Sequence, residues 1–263
     1  MNADERLFSS PDAAPLLIRR LRPFASAIEP EVDDAVFVHD APGCEAVAAR
    51  CAGIVLAKGD EARAAALLAA GAPAVFLGET ALLDSAVVER LSSSHPGRVG
   101  IYAPVARQSV SWSLETVSNA DFKTLAPSIC EPSWEVLRAD GSPTGTLLLW
   151  WLKALAERGA AHFLVAADIA DDTDLNILAG LVEEFGERLW LTPRTERPMR
   201  PLQEWVAYGH CRRLALPDER LAEGNALLDE TGAANPASEP EMDAMALTQI
   251  VHETGRVPMD NLG

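Results

Sequence analysis

The chain has 263 residues, of which 48% are hydrophobic and 23% are charged, a composition typical of a globular protein. Its formal net charge of -17 at pH 7 would repel nucleic acid and anionic membranes, so neither is expected as a partner. The sequence contains neither an apolar run of the roughly 20 residues that span a bilayer nor the pattern of a signal peptide. The length is close to that of a (β/α)8 barrel, and we expect one domain over residues 1–263.

The cysteine spacing argues against a metal or redox motif. The four cysteines, Cys44, Cys51, Cys130 and Cys211, form no CxxC pair, so a zinc ribbon or thioredoxin motif is not expected. They are most simply reduced thiols, which predicts a cytoplasmic protein. We expect no cofactor.

The N-terminal residues are weakly patterned. Residues 13–25 have helical spacing, and Arg6–Ser9 could form a short strand. The first clear strand is Ala35–His39, which is followed by a turn at Ala41-Pro42-Gly43 and a short helix over Cys44–Cys51.

The strongest pattern in the chain lies between Gly53 and Val105. Short apolar runs with helical segments between them predict three buried strands and two helices. The strands are Ile54–Ala57, Ala74–Leu77 and Val99–Tyr102, and the helices are Asp60–Ala70 and Leu82–Ser93. Such a βαβαβ unit builds a parallel sheet through right-handed crossovers.

The second half of the chain continues the alternation after an irregular insertion over residues 106–145. Within the insertion, Trp134, Val136 and the turn Asp140-Gly141 predict a small hairpin, and we expect the insertion to be a lid or a partner surface. The elements predicted next are Thr146–Arg158, His162–Ala167, Leu175–Phe185, Arg188–Thr192, Leu202–Tyr208 and Arg213–Leu216. Residues 217–263 leave the pattern as a C-terminal extension, with helices predicted over Leu221–Glu230 and Met242–Thr254.

Part of this pattern resembles a known family. The segment LLAAGAPAVFLGETALLDSAVVERL, followed by PGRVGIYAPV, is similar to the middle of the ProFAR isomerase family of histidine-biosynthesis barrels, HisA and HisF. The later segment VAADIADDTDLN resembles the sixth strand of that family. The resemblance covers roughly residues 35–216 and implies an α/β fold, a (β/α)8 TIM barrel.

Aligned on this resemblance, Ala35–Asp40 falls on the second barrel strand. The first strand is then degenerate, missing or confined to residues 5–9, and the insertion follows the fifth strand. A barrel that lacks a full first strand would expose strand edges, which proteins usually cover, so we expect a homo-oligomer.

The departures from the family predict loss of the ancestral reaction. The fifth-strand acid–base position falls near Ala103 or Pro104, which cannot transfer protons. Most of the phosphate-binding glycine turns are also replaced, and only Gly78-Glu79-Thr80 stays close to the family pattern. The resemblance therefore implies a divergent biosynthetic protein that does not serve histidine synthesis and acts on a small anionic or phosphorylated metabolite. One-carbon cofactor biosynthesis of the tetrahydromethanopterin type is the pathway that it suggests.

Candidate site residues follow the strands, because the active site of a TIM barrel lies at the carboxyl ends of its strands. The catalytic candidates are Asp168, Asp40, His39 and Lys58. The anion-binding candidates are Arg194, Arg197, Gly78 and Thr80.

Each candidate also has a structural explanation. Asp168 could cap a helix, His39 and Asp40 could be a packed ring and a turn residue, and the cations could be solvated. Asp168 and its neighbours Asp171, Asp172 and Asp174 could hold a hard cation, but the spacing does not fit an EF-hand.

Two functions therefore stay open from the sequence. The first is an enzyme that acts on a small anionic metabolite, with acid–base chemistry of the isomerase or lyase type. The second is a catalytically inactive barrel that serves as a partner or scaffold subunit.

Overall fold

The computed structural model of the chain describes residues 14–24, 36–108, 132–195 and 199–231. The predicted strand Arg6–Ser9 and the predicted helix Met242–Thr254 lie outside these residues. The described residues fall within a compact unit that spans Met1–Ala233.

Eight parallel strands close into a barrel with helices between them, as predicted. Closure is completed by pairing between the fourth and fifth strands, where Val75 lies opposite Val99. The first five barrel strands in chain order are β1 (Leu17–Pro23), β2 (Val36–His39), β3 (Gly53–Leu56), β4 (Val75–Leu77) and β5 (Val99–Arg107). The other three barrel strands are β8 (His162–Ala167), β9 (Leu189–Pro193) and β10 (Arg213–Leu216).

The helices lie between the strands in the order that the sequence predicts. They are α1 (Glu61–Ala69), α2 (Glu79–Leu83), α3 (Ala86–Ser94), α4 (Leu148–Glu157), α5 (Asp172–Phe185), α6 (Leu202–Ala207) and α7 (Leu221–Thr231). A 3-10 helix over Cys44–Arg50 replaces an α-helix between β2 and β3. Of the helices in the described ranges, none combines the length and the apolar character needed to cross a membrane.

Two expectations about the ends of the barrel are corrected. The first strand is complete: β1 pairs in parallel with β10 on one side and with β2 on the other. The sequence of residues 13–25 has the spacing of a helix, but part of it forms this strand. A strand usually alternates apolar and polar residues, and here both the inward-facing Arg19 and the outward-facing Arg20 are charged. At the other end, α7 follows the eighth barrel strand as the last helix of the repeat, so the pattern continues beyond Pro217.

The interior of the barrel is a small apolar core separate from the one beneath the helices. Phe37 makes edge-to-face contacts with Phe76 and Trp190, with ring centroids 5.4 Å and 5.0 Å away. Arg19 enters this interior with its guanidinium 5.5 Å from the Phe37 ring and 5.2 Å from the Trp190 ring. Stacking on aromatic faces lets a charged residue occupy an inward position of β1.

The insertion after the fifth barrel strand carries the predicted hairpin. Its strands are β6 (Trp134–Leu137) and β7 (Pro143–Leu147), which pair antiparallel with each other, and β6 pairs with the end of β5. β5 can pair with β6 because it continues past the barrel rim to Arg107.

A buried carboxylate fastens the hairpin to the barrel. Asp174, only 3% exposed near the start of α5, accepts hydrogen bonds from the Trp134 indole at 3.0 Å and from the Ala170 N–H at 2.9 Å. Arg107 Nη2 lies 2.6 Å from the same carboxylate. The end of β5, the hairpin and the start of α5 therefore meet at one side chain.

We predict that Asp174→Ala lowers the free energy of unfolding by about 3 kcal/mol, because it leaves the Trp134 N–H without its acceptor and Arg107 without this partner. Urea unfolding measures the change. Asp172→Ala is the matched control, since it removes a carboxylate that is 85% exposed from the same turn and should barely move the midpoint. Equal midpoints for Asp174→Ala and the wild type would show that this network adds no stability.

Candidate active site at the barrel mouth

The carboxyl ends of the strands form the mouth of the barrel, and side-chain alternation decides which residues face it. Phe37 faces the barrel interior, so His39 faces inward at the end of β2 and Asp40 faces outward. The same rule turns Tyr102, Asp168 and Arg194 toward the mouth.

The carboxylate of Asp40 is hydrogen-bonded to a side chain of α1. Its two carboxylate oxygens accept hydrogen bonds from Arg63 Nε at 3.0 Å and Arg63 Nη2 at 2.6 Å. Arg63 also contacts Glu45 and the Ala41 carbonyl. The adjacent residues His39 and Asp40 therefore do not act on one ligand, and Asp40 secures the turn after β2.

His39 meets a tyrosine instead. The His39 and Tyr102 rings make an edge-to-face contact, with centroids 6.0 Å apart and planes at 86°. Burial lowers the pKa of His39 from its ordinary value and raises the pKa of Tyr102 from its ordinary value, although the positive charge of Arg194 opposes the rise for Tyr102. Burial therefore favours the uncharged form of both side chains.

Asp168 and Arg194, predicted separately as a catalytic residue and an anion-binding residue, form an ion pair. Arg194 Nη2 donates to Asp168 Oδ2 at 2.8 Å. Thr195 donates its backbone N–H to Asp168 Oδ1 at 2.8 Å and its hydroxyl to Oδ2 at 3.0 Å. Because β8 and β9 are neighbours, the end of one strand fixes the loop that follows the other.

A cavity of about 430 Å³ lies between the ends of β9 and β10. It is lined by Pro193, Arg194, Thr195, Met199, Pro217, Glu219 and Arg220. Two guanidinium nitrogens of its lining residues, Arg194 Nε and Arg220 Nη1, are buried and have no hydrogen-bond partner in the part of the chain that the structure describes. Arg220 is held by Glu223 and lies over the Trp205 ring, 5.4 Å from its centroid.

The sequence analysis did not select Arg220. The available signal was its place in the motif LPDER, directly after the eighth barrel strand, where barrels commonly bind phosphate.

The other anion-binding candidates lie elsewhere. The Thr80 hydroxyl donates to the Gly59 carbonyl at 2.6 Å, and the Gly78 N–H donates to the Leu56 carbonyl at 2.9 Å. Lys58 is exposed and makes no hydrogen bond or ion pair within the described residues. Arg197 lies outside the residues that the structure describes. The structure therefore brings Asp168 and Arg194 together, but it does not bring Lys58 to them.

The hairpin covers the opposite side of the mouth. Val136, Leu137 and Ala139 join Tyr102 and Pro104 around a space of only about 10 Å³, roughly the size of one water molecule. The mouth is therefore filled on the side of β4 and β5, and its larger cavity lies on the side of β9 and β10.

The aspartates considered for a cation are engaged with arginines. Arg107 donates to Asp171 at 2.8 Å and lowers the pKa of that carboxyl to about 2, and Asp172 pairs with Arg200 at 2.8 Å. Over the described ranges, no group of three or more His, Cys, Asp or Glu side chains is placed to hold a metal ion.

Neither the family models nor the curated proteins include one that matches this chain.

We predict that Gly78→Ala destabilises the fold by about 1–3 kcal/mol, because a Cβ at this position would lie 2.6 Å from the Ala57 carbonyl oxygen. Gly180→Ala in α5 is the control, since an added Cβ meets nothing within 4 Å, and it should gain about 0.5–1 kcal/mol. Urea unfolding compares the two. Wild-type stability in Gly78→Ala would indicate that the ends of β3 and β4 can separate and admit a ligand.

Proposed function

We propose that this chain is a divergent HisA-related biosynthetic protein that binds a small anionic, phosphorylated metabolite in the cavity between the ends of β9 and β10. The observation that carries the proposal is that two arginines, Arg194 and Arg220, line one cavity, and that one guanidinium nitrogen of each has no hydrogen-bond partner among the described residues.

The energetics of these nitrogens favour an anionic ligand. A buried donor without a partner costs about 1–3 kcal/mol, and the cavity that an acceptor could occupy is lined by the same two arginines. Guanidinium groups suit phosphate because their donors form a planar fork that matches its oxygens. The loops after the seventh and eighth strands are also a common phosphate site in (β/α)8 barrels.

The acidic surface limits how such a ligand is recognised. A net charge of -17 provides no long-range attraction for an anion, so affinity has to come from desolvated hydrogen bonds inside the cavity. Asp168 and Glu223 hold Arg194 and Arg220 in place. Preorganised donors lose little conformational entropy on binding.

The resemblance to HisA and HisF supports a biosynthetic reaction on a phosphorylated compound. The loss of the family's acid–base residue on the fifth strand argues against histidine synthesis. One-carbon cofactor biosynthesis of the tetrahydromethanopterin type remains the pathway that the resemblance suggests, in a cytoplasmic protein.

Binding of inorganic phosphate, measured by calorimetry, tests the anion site. We predict that Arg194→Gln and Arg220→Gln each weaken binding at least tenfold, because each removes a donor that the phosphate satisfies. Lys58→Ala is the control: it removes a cation that does not line the cavity, and affinity should change less than twofold. If Lys58→Ala lost phosphate binding and both arginine variants kept it, the binding site would lie at the end of β3 and not in this cavity.

A second candidate function, a partner or scaffold subunit, is favoured by one apolar surface. Trp150 and Leu149 on α4 are 72% and 39% exposed and border a groove of about 680 Å³ between the hairpin, α4 and α5. Exposed apolar patches of this kind mark interaction sites. The barrel is closed, so an incomplete first strand no longer supports a homo-oligomer, and the support that remains for it is this groove.

We predict that Trp150→Ser lowers the mass measured by light scattering at micromolar concentration, because it removes the largest apolar group on this surface. Leu83→Ser is the matched control, since Leu83 is also 72% exposed but lies on α2. A monomeric wild type would contradict the homo-oligomer.

A further inference from the structure

The groove beside the hairpin differs in charge from the rest of the chain. It has a volume of about 680 Å³ and lies between the hairpin, the start of α4 and one face of α5. Although 23% of the residues in the chain are charged, none of the described residues that line the groove is. Ion pairs lie only beyond its two ends, between Lys153 and Glu184 and between Arg107 and Asp171. A charged ligand would lose its hydration in this groove without gaining a partner, so the lining favours an uncharged one.

Polar side chains in the groove are available to a ligand. Gln108, Thr173 and Asn176 line it, and their side chains make no hydrogen bond within the described residues. The indole N–H of Trp150 has no acceptor in the same ranges, and the buried Ser133 hydroxyl has no partner there. Because an amide side chain both donates and accepts, these groups can pair with the N–H and C=O groups of a peptide backbone.

The floor of the groove is a stripe along α5. Thr173, Asn176, Ile177 and Gly180 are spaced three or four residues apart and therefore share one face of the helix. A Cβ added at Gly180 would meet no atom within 4 Å, so the floor is open at this position. At a rise of 1.5 Å per residue the stripe is about 10 Å long, which matches roughly three residues of a polyproline II segment.

The walls of the groove limit which ligand fits. Trp150 and Leu149 are 72% and 39% exposed at its rim, and Leu147 and Ile177 add further apolar surface. A sugar would place hydroxyl groups against these side chains and lose their hydration. A helix would leave the polar side chains of the groove unused, because its backbone groups are already hydrogen-bonded to each other. An extended peptide uses both the apolar walls and the polar side chains.

Building on the second candidate function, a partner subunit, we propose that this groove binds a short extended segment of a partner protein that is rich in proline and apolar residues and uncharged. Proline-rich segments dock in aromatic-lined grooves, and their preformed backbone loses little entropy on binding. Trp150 packs against the proline rings. Its indole N–H and the amides of Gln108 and Asn176 donate hydrogen bonds to the backbone carbonyls of the segment.

Calorimetry with a neutral ten-residue peptide of proline and leucine tests the groove. The wild type should bind this peptide, and it should bind neither maltotriose nor the same peptide with glutamate in place of leucine. Trp150→Ser should weaken peptide binding at least tenfold, because it removes the aromatic surface on which the prolines pack. Gly180→Leu should have a similar effect because it fills the floor of the groove while removing no contact within the fold.

Two controls show that such losses belong to the groove. Leu83→Ser removes a side chain on α2 that is as exposed as Trp150, and it should change peptide affinity less than twofold. Urea unfolding midpoints of Trp150→Ser and Gly180→Leu close to that of the wild type show that both variants are folded.

Three results would each overturn the proposal: a wild type that does not bind the peptide, equal peptide affinity in Trp150→Ser, Gly180→Leu and the wild type, or binding of maltotriose in place of the peptide. Light scattering separates the proposal from the homo-oligomer. A monomeric wild type that binds the peptide supports the proposal and contradicts the homo-oligomer. An oligomeric wild type that does not bind the peptide, and that becomes monomeric in Gly180→Leu, shows that a second copy of the chain occupies the groove.

Phosphate binding is a separate test, because the cavity that Arg194 and Arg220 line shares no lining residue with this groove. A wild type that binds the peptide but not phosphate would overturn the anion site and leave the groove proposal standing.

Discussion

Closure of the barrel depends on β1, because this strand joins the last barrel strand to the second. Its inward position 19 is an arginine, and the guanidinium of this residue lies over the Phe37 and Trp190 rings. Once the sheet closes, alternation sends every second side chain into the barrel. The last inward residue of each strand then faces the mouth, and its outward neighbour packs against a helix.

The same constraint explains how much of the fold the sequence could predict. Strands such as His162–Ala167 and Arg213–Leu216 were predicted with their correct bounds, because continuous apolar runs identify strands buried on both faces. β1 could not be identified this way, since the stacking that makes Arg19 acceptable involves Trp190, far away in the sequence. Such long-range compensation leaves no local pattern.

The candidate site was predictable to a smaller extent. The rule that strand ends bear the chemistry selected His39, Asp168 and Arg194, which do face the mouth. It also selected Asp40, whose outward direction depends on the register of β2, and Lys58, which lies past the end of β3 and is exposed. The contact between His39 and Tyr102 joins two strands that are not neighbours in the barrel, and no spacing rule predicts it.

The role of each charged residue at the mouth depends on which of its polar atoms already make hydrogen bonds. Both oxygens of Asp168 already accept hydrogen bonds, from Arg194 and Thr195, so taking a proton there would disrupt the loop after β9. Asp168 is therefore better suited to positioning Arg194 than to exchanging protons. Arg194 Nη2 donates to Asp168, while Nε has no hydrogen-bond partner among the described residues.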